Sequence, residues 1–164
     1  MKKRILCPTR GGQASYPNQD AAIELAIERQ AEIVFLYITD IHFMDHFASP
    51  KLIDFETELE EMGDFLLTMA IERAQKSGVE ATGIVRRGSF RQTLLDILES
   101  QKVNAVILGS SRLETSELTP EFIKDLASEL SVHTGIEFII VDDGEIVVSL
   151  KDKVNQSQKG EAEK

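Results

Sequence analysis

The chain is poor in the residues that staple, anchor or catalyse. Among 164 residues there is one cysteine, Cys7, so no internal disulfide can form and no paired-thiol redox or zinc-finger spacing exists. Tryptophan is absent, and no apolar run approaches the ~20 residues that a membrane-crossing helix needs. Positive charge is scarce, with 18 Lys and Arg against 28 Asp and Glu and a formal net charge of -10. Phosphate backbones and anionic lipid reward clustered cations, so nucleic acid and membrane surfaces are not expected partners. Behind the basic start Met1-Lys2-Lys3-Arg4, the apolar stretch ends at Cys7-Pro8, too short for a signal peptide's hydrophobic region. A cytoplasmic location is expected.

Several catalytic signatures are missing as well. Ser110 and Ser111 lie outside any Gly-x-Ser-x-Gly elbow, and Gly11-Gly12 has neither a P-loop lysine nor a full dinucleotide fingerprint. His42 and His46 are four apart with Asp45 between them, but a third firm ligand and a metallopeptidase glutamate are lacking, so no metal site is assigned. Cys7 sits inside an apolar run and reads as a small buried hydrophobe, and His133 reads as a favourable charge near a helix end.

What is present is alternation. Apolar runs at Arg4 to Pro8, Ile33 to Ile38, Val79 to Val85, Ala105 to Leu108 and Glu137 to Val141 read as strands. Helical periodicity fills the gaps at Asp20 to Gln30 after the Pro17-Asn18 signal, Phe55 to Ala74, Arg91 to Gln101, and from Thr119-Pro120 to about His133. Strands that are apolar on both alternating faces and joined by helices imply right-handed parallel crossovers. The expected fold is α/β, three layers, with an open sheet of five parallel strands and helices on both faces. After the turn signal Asp142-Asp143-Gly144-Glu145, Ile146 to Leu150 either pairs back as an extra C-terminal strand of a hairpin or reaches a partner. One domain is expected over residues 1–150, with 151–164 a polar, disordered tail.

In open parallel sheets ligands lie beyond the carboxyl ends of the strands. The loops there carry Pro8-Thr9-Arg10-Gly11-Gly12, Arg86-Arg87-Gly88-Ser89-Phe90-Arg91 and Gly109-Ser110-Ser111-Arg112, so five of the eight arginines are expected in one region of an acidic chain. Two readings stay open. The arginines form an anion pocket, or they pair with carboxylates of the helix around Glu56 to Asp64 or with a partner subunit.

Ile5-Leu6-Cys7-Pro8-Thr9, Leu36-Tyr37-Ile38-Thr39-Asp40 and the stretch Asn104 to Ser111 resemble the first, second and fourth strand ends of universal stress proteins, in that order along the chain. The resemblance runs from about Lys3 to Val141. It implies strand order 3-2-1-4-5, homodimers through the last strand, and in one branch ATP between the first and fourth strands. That branch carries glycine, two residues, glycine, nine residues, then glycine and a hydroxyl residue. Gly109 matches, but Arg112, Phe122 and Ile123 stand at the remaining positions, and Arg10 replaces the acidic residue that follows Pro-Thr in many relatives. Ile38 matches the position expected against adenine, and Gly88 the glycine of the third loop.

The ligand positions carried forward are Pro8, Thr9, Arg10, Ile38, Arg87, Gly88, Arg91, Gly109, Ser110, Ser111 and Arg112, for ATP, another nucleotide or another anion. The leading functional reading is a non-enzymatic, homodimeric stress-response or regulatory domain without the usual ATP cradle. The alternative is a nucleotide or anion sensor acting through the arginine loops, and phosphate hydrolysis or transfer ranks third.

Overall fold

The computed structural model describes residues 2–39, 51–109 and 118–151. The His42/Asp45/His46 segment, Ser110, Ser111, Arg112 and the expected tail beyond 151 lie outside the described residues.

Among the described residues, six strands and four α-helices follow in the expected order: β1 (Lys3–Pro8), α1 (Tyr16–Arg29), β2 (Ala31–Thr39), α2 (Lys51–Lys76), β3 (Ala81–Arg87), α3 (Phe90–Ser100), β4 (Ala105–Gly109), α4 (Pro120–Thr134), β5 (Glu137–Asp142) and β6 (Glu145–Leu150). They build one sheet of order β3-β2-β1-β4-β5-β6. The first five strands are parallel. The sixth returns antiparallel on β5. The hairpin alternative therefore holds within the chain: Asp143 and Gly144 both take positive φ, 49° and 85°, the geometry of a tight two-residue hairpin turn.

Consecutive apolar residues in the central strands are explained by burial on both faces. Ile5, Cys7, Ile33, Phe35, Ile107 and Ile139 pack beneath α1 and α2 against Ala22, Ala26, Leu67, Ala70 and Ala74. Their neighbours Leu6, Val34, Leu36, Val106, Leu108 and Phe138 point the other way, against Leu94, Ile97, Ile123, Leu126 and Leu130 of α3 and α4. Side chains of a strand alternate between faces, so an unbroken apolar run feeds two cores.

Three boundaries differ from the sequence expectation. α1 begins at Tyr16 rather than Asp20, because Pro17 occupies the first turn, where a missing N–H costs nothing. β3 runs to Arg87 rather than stopping at Val85. Val79 instead closes α2, its N–H donating to the Ala74 carbonyl at 3.0 Å, while Arg86 and Arg87 continue the ladder opposite Ile38 and Thr39. β3 is an edge strand and tolerates polar residues, so these two arginines belong to the strand end and not to a loop. The helix expected from Arg91 to Gln101 runs from Phe90 to Ser100, so Arg91, which also closes the third loop motif, lies in the first turn of α3.

Candidate ligand site

The carboxyl ends of β1 and β2 are locked together before either reaches solvent. The Thr9 N–H donates to the Leu36 carbonyl at 2.9 Å, extending the parallel ladder one residue past Pro8. The Thr9 hydroxyl oxygen then accepts from the Gly11 N–H at 3.1 Å and from Gln19 Nε2 at 3.0 Å. Gln19 is buried in α1, and its carbonyl oxygen accepts from Arg73 Nη1 of α2 at 2.8 Å. Arg73 also reaches Asp20 at 2.5 Å and stacks 4.0 Å from the Tyr16 ring. A buried polar side chain is costly unless paired, so this chain of contacts holds the first loop in one conformation. Gly11 is required there: its φ is 72°, and a Cβ would stand 2.6 Å from Leu66.

On the neighbouring strand, the Thr39 hydroxyl donates to the Arg86 carbonyl at 3.2 Å, and the Gly88 N–H donates to the Thr39 carbonyl at 3.1 Å. Gly88 has φ 134°, outside the ordinary range of other residues. Between these strand ends and the start of α2 lies a cavity of about 350 Å³, lined by Thr9, Arg10, Tyr37, Ile38, Thr39, Phe55 and Leu59. Burial raises the Tyr37 phenol above its ordinary value, and the Arg10 cation acts in the opposite direction. The cavity thus has an apolar, partly aromatic wall and a cationic rim.

The structure separates the expected arginines. Arg10 lines the cavity. Arg87 instead hydrogen-bonds Glu56 at 2.9 Å and also Glu60, two carboxylates one turn apart on α2. Those contacts hold the Glu60 carboxyl below its usual range. Arg91 pairs with Glu129 of α4, and Arg86 Nη1 donates to the Val85 carbonyl at 2.9 Å. The acidic-helix alternative describes Arg87 correctly.

Gly109, at the end of β4, is covered by Asn18: a Cβ there would fall 2.3 Å from Asn18 Nδ2. Asn18 Oδ1 in turn accepts from the Gly144 N–H at 3.0 Å, tying α1 to the β5–β6 turn. Phe122 and Ile123 lie in the first turn of α4, where Thr119 Oγ1 caps the Phe122 N–H at 3.2 Å and Ile123 is fully buried. A glycine cradle is not available from these two positions. Cys7 is buried on the α1/α2 face, its thiol pushed up to about 12 by desolvation. No group of three or more His, Cys, Asp or Glu able to hold a metal occurs among the described residues.

Four lining residues were not among the sequence candidates. Tyr37 and Thr39 flank Ile38 and were within reach of the strand-end argument. Phe55 and Leu59 form the first steps of the α2 apolar stripe, which by periodicity alone reads as core. Only the position of α2 over the strand ends exposes their role.

A sheet of this order, with its ligand-sized recess at the β1/β2 ends, defines a class, and comparison with known proteins identifies it. The sequence pattern of the universal stress protein family matches residues 1–119, and the chain belongs to that family. It is 27% identical over 122 residues to the universal stress protein YxiE of Bacillus subtilis, covering 67% of this chain and 80% of that protein. A universal stress protein solved in complex with cAMP superposes with a TM-score of 0.59 at 14% identity, covering 87% of this chain and 98% of the other. A family protein from Arabidopsis thaliana with AMP bound gives a TM-score of 0.55 at 15% identity, covering 85% and 91%.

Proposed function

We propose that this chain is a non-enzymatic regulatory domain of the stress response whose signal is a small adenine-type nucleotide bound at the β1/β2 strand ends. The observation that carries the reading is the 350 Å³ cavity, whose lining combines Tyr37, Ile38, Phe55 and Leu59 with Thr9, Thr39 and Arg10. Ligand pockets span about 300–1,000 Å³, and this one suits a base and sugar better than a full triphosphate. Aromatic and aliphatic side chains accept a purine, and a guanidinium presents several donors to one phosphate. At β4 and α4, the helical Phe122 and Ile123 deprive a longer phosphate chain of a backbone cradle. The relatives solved with cAMP and AMP support the same ligand class.

Among the described residues, the cavity lining holds no carboxylate or histidine to act as a general base or magnesium ligand. Binding without chemistry is the activity proposed, in the cytoplasm, by a domain spanning residues 1–150. Isothermal titration of the full chain with AMP, cAMP and ATP tests it. The monophosphates bind at micromolar to millimolar levels, ATP no better, and ATP is not turned over. Absence of binding by all three at millimolar concentration ends the proposal.

Homodimerisation through the C-terminal strand is part of this reading, supported by β6. That strand forms an outer edge of the sheet and exposes Ile146 and Val147 at 57% and 61%. Apolar residues on an unpaired edge invite a second strand. Light scattering should give twice the chain mass, reduced to the monomer by Val147→Lys.

A further inference from the structure

At the opposite end of the sheet, the amino ends of β1 and β4 enclose a second recess of about 480 Å³. Its lining is Lys2, Lys3, Arg4, Ser100, Gln101, Lys102 and Asn104: four cations and no carboxylate, in a chain of net charge -10. The floor is fixed. Asn104 Oδ1 accepts from the Arg4 N–H at 2.8 Å, and the Asn104 N–H donates to the Arg4 carbonyl at 2.9 Å, a reciprocal pair that clamps the lead-in of β4 onto β1. Arg4 is further held by Glu32 at 2.6 Å and by Gln101 Oε1 at 3.4 Å.

These contacts sort the hydrogen-bonding capacity of the recess. The amide oxygens of Gln101 and Asn104 accept from Arg4, so what each side chain has left to offer is mainly its NH₂ donors. Ser100 Oγ donates to the Ile97 carbonyl. Lys2 reaches Glu80, whereas exposed Lys3 and Lys102 have no carboxylate partner among the described residues. The α3 carboxyl end attracts one nearby cation. It does not account for three lysines and an arginine around one recess.

We propose that this recess is a second ligand site, for a compact oxyanion of the phosphate or diphosphate class, separate from the cavity at the β1/β2 carboxyl ends. Ammonium and amide N–H groups are all donors, and a phosphate anion is rich in acceptor oxygens, so the match is one of chemistry as well as charge. The exposed lysines make the affinity salt-dependent, because charges in contact with solvent are screened over about 8 Å at physiological ionic strength.

The test is a titration of the full, isotopically labelled chain with inorganic pyrophosphate, followed by backbone amide shifts. Saturable shifts at Lys2, Lys3, Gln101 and Lys102 are expected, weakened about tenfold in K3Q/K102Q and again on raising the salt concentration. Both lysines are exposed, so the double variant should keep the parent spectrum elsewhere. A parallel arm with a sugar phosphate separates the sources: tighter binding than pyrophosphate assigns the site to a phosphorylated metabolite, weaker binding to the free anion, and either supports the site. AMP shifts at Thr9, Arg10 and Tyr37 report the other cavity and stand or fall by themselves. No saturable pyrophosphate response at the recess at millimolar concentration, or an equal response in K3Q/K102Q, overturns the proposal.

Discussion

The ring of Tyr37 lies so close to Gly63 that a Cβ on the glycine would stand 2.6 Å from Cδ1. A helix-interior glycine costs α2 about 1 kcal/mol against alanine, so the position is held by the contact and not by helix preference. Gly63→Ala regains that propensity while pushing Tyr37 into the cavity it lines, and overpacking costs about 1–3 kcal/mol. The two effects nearly offset in stability but not in binding. Chemical denaturation should show a change of less than about 2 kcal/mol, while AMP affinity falls severalfold. Unchanged affinity would remove Tyr37 from the site.

Arg10 and Arg87 make a second pair of expectations. Both were ligand candidates, but Arg87 is engaged by Glu56 and Glu60 on α2, while Arg10 borders the cavity. Arg10→Gln should weaken AMP binding about tenfold, the loss of one charge-assisted contact, and Arg87→Gln should leave it within about twofold. Calorimetry on the two variants decides it. Equal losses would mean that the ligand displaces the Arg87 pair.

Much of this architecture was legible because its signals are local. Ile33 to Ile38 is apolar on both alternating faces, which requires cover on both sides, and the structure supplies α1 and α2 on one face and α3 and α4 on the other. Boundaries failed where tertiary context decides. Pro17 looks like a marker before a helix but fits its first turn, and Arg86-Arg87 look like loop residues until the pairing with Ile38 and Thr39 continues the strand. The site was legible from the strand ends inward and opaque from the helix side. Nothing in the spacing of Phe55 and Leu59 distinguishes a cavity wall from a core stripe, and whether Arg87 meets Glu56 and Glu60 depends on how α2 lies over β3.

Cys7 is the only thiol in the chain, and its surroundings predict its reactivity. Burial on the α1/α2 face raises its value to about 12 from 9.0, so the thiolate is essentially absent at neutral pH. Alkylation by iodoacetamide should be undetectable over hours in the native protein and complete within minutes in denaturant. Rapid native labelling would show that the β1 end opens readily. Cys7→Ala should leave AMP binding unchanged and cost about 1–2 kcal/mol through the lost volume.

Arg29, at the end of α1, holds Glu137 of β5 with two hydrogen bonds of 2.7 and 3.1 Å, and Ser149 of β6 donates to the same carboxylate at 3.0 Å. The Glu137 side chain is only 10% exposed, so the pair is shielded better than the other ion pairs among the described residues. Arg29 foremost, with Ser149, holds the carboxyl below its usual value of 4.5, although burial acts the other way. A carboxyl depressed on folding stabilises the native state fully above its unfolded value and progressively less as pH falls through the folded one. Glu137→Gln should therefore cost about 1.5–3 kcal/mol at pH 7, the worth of hydrogen bonds to a charged group. The gap between variant and parent should narrow below about pH 4.5 as the parent protonates. Denaturation midpoints measured from pH 7 down to pH 3 check both the size and the sign; a gap that stays constant across that range would mean that Glu137 contributes by packing and not by charge.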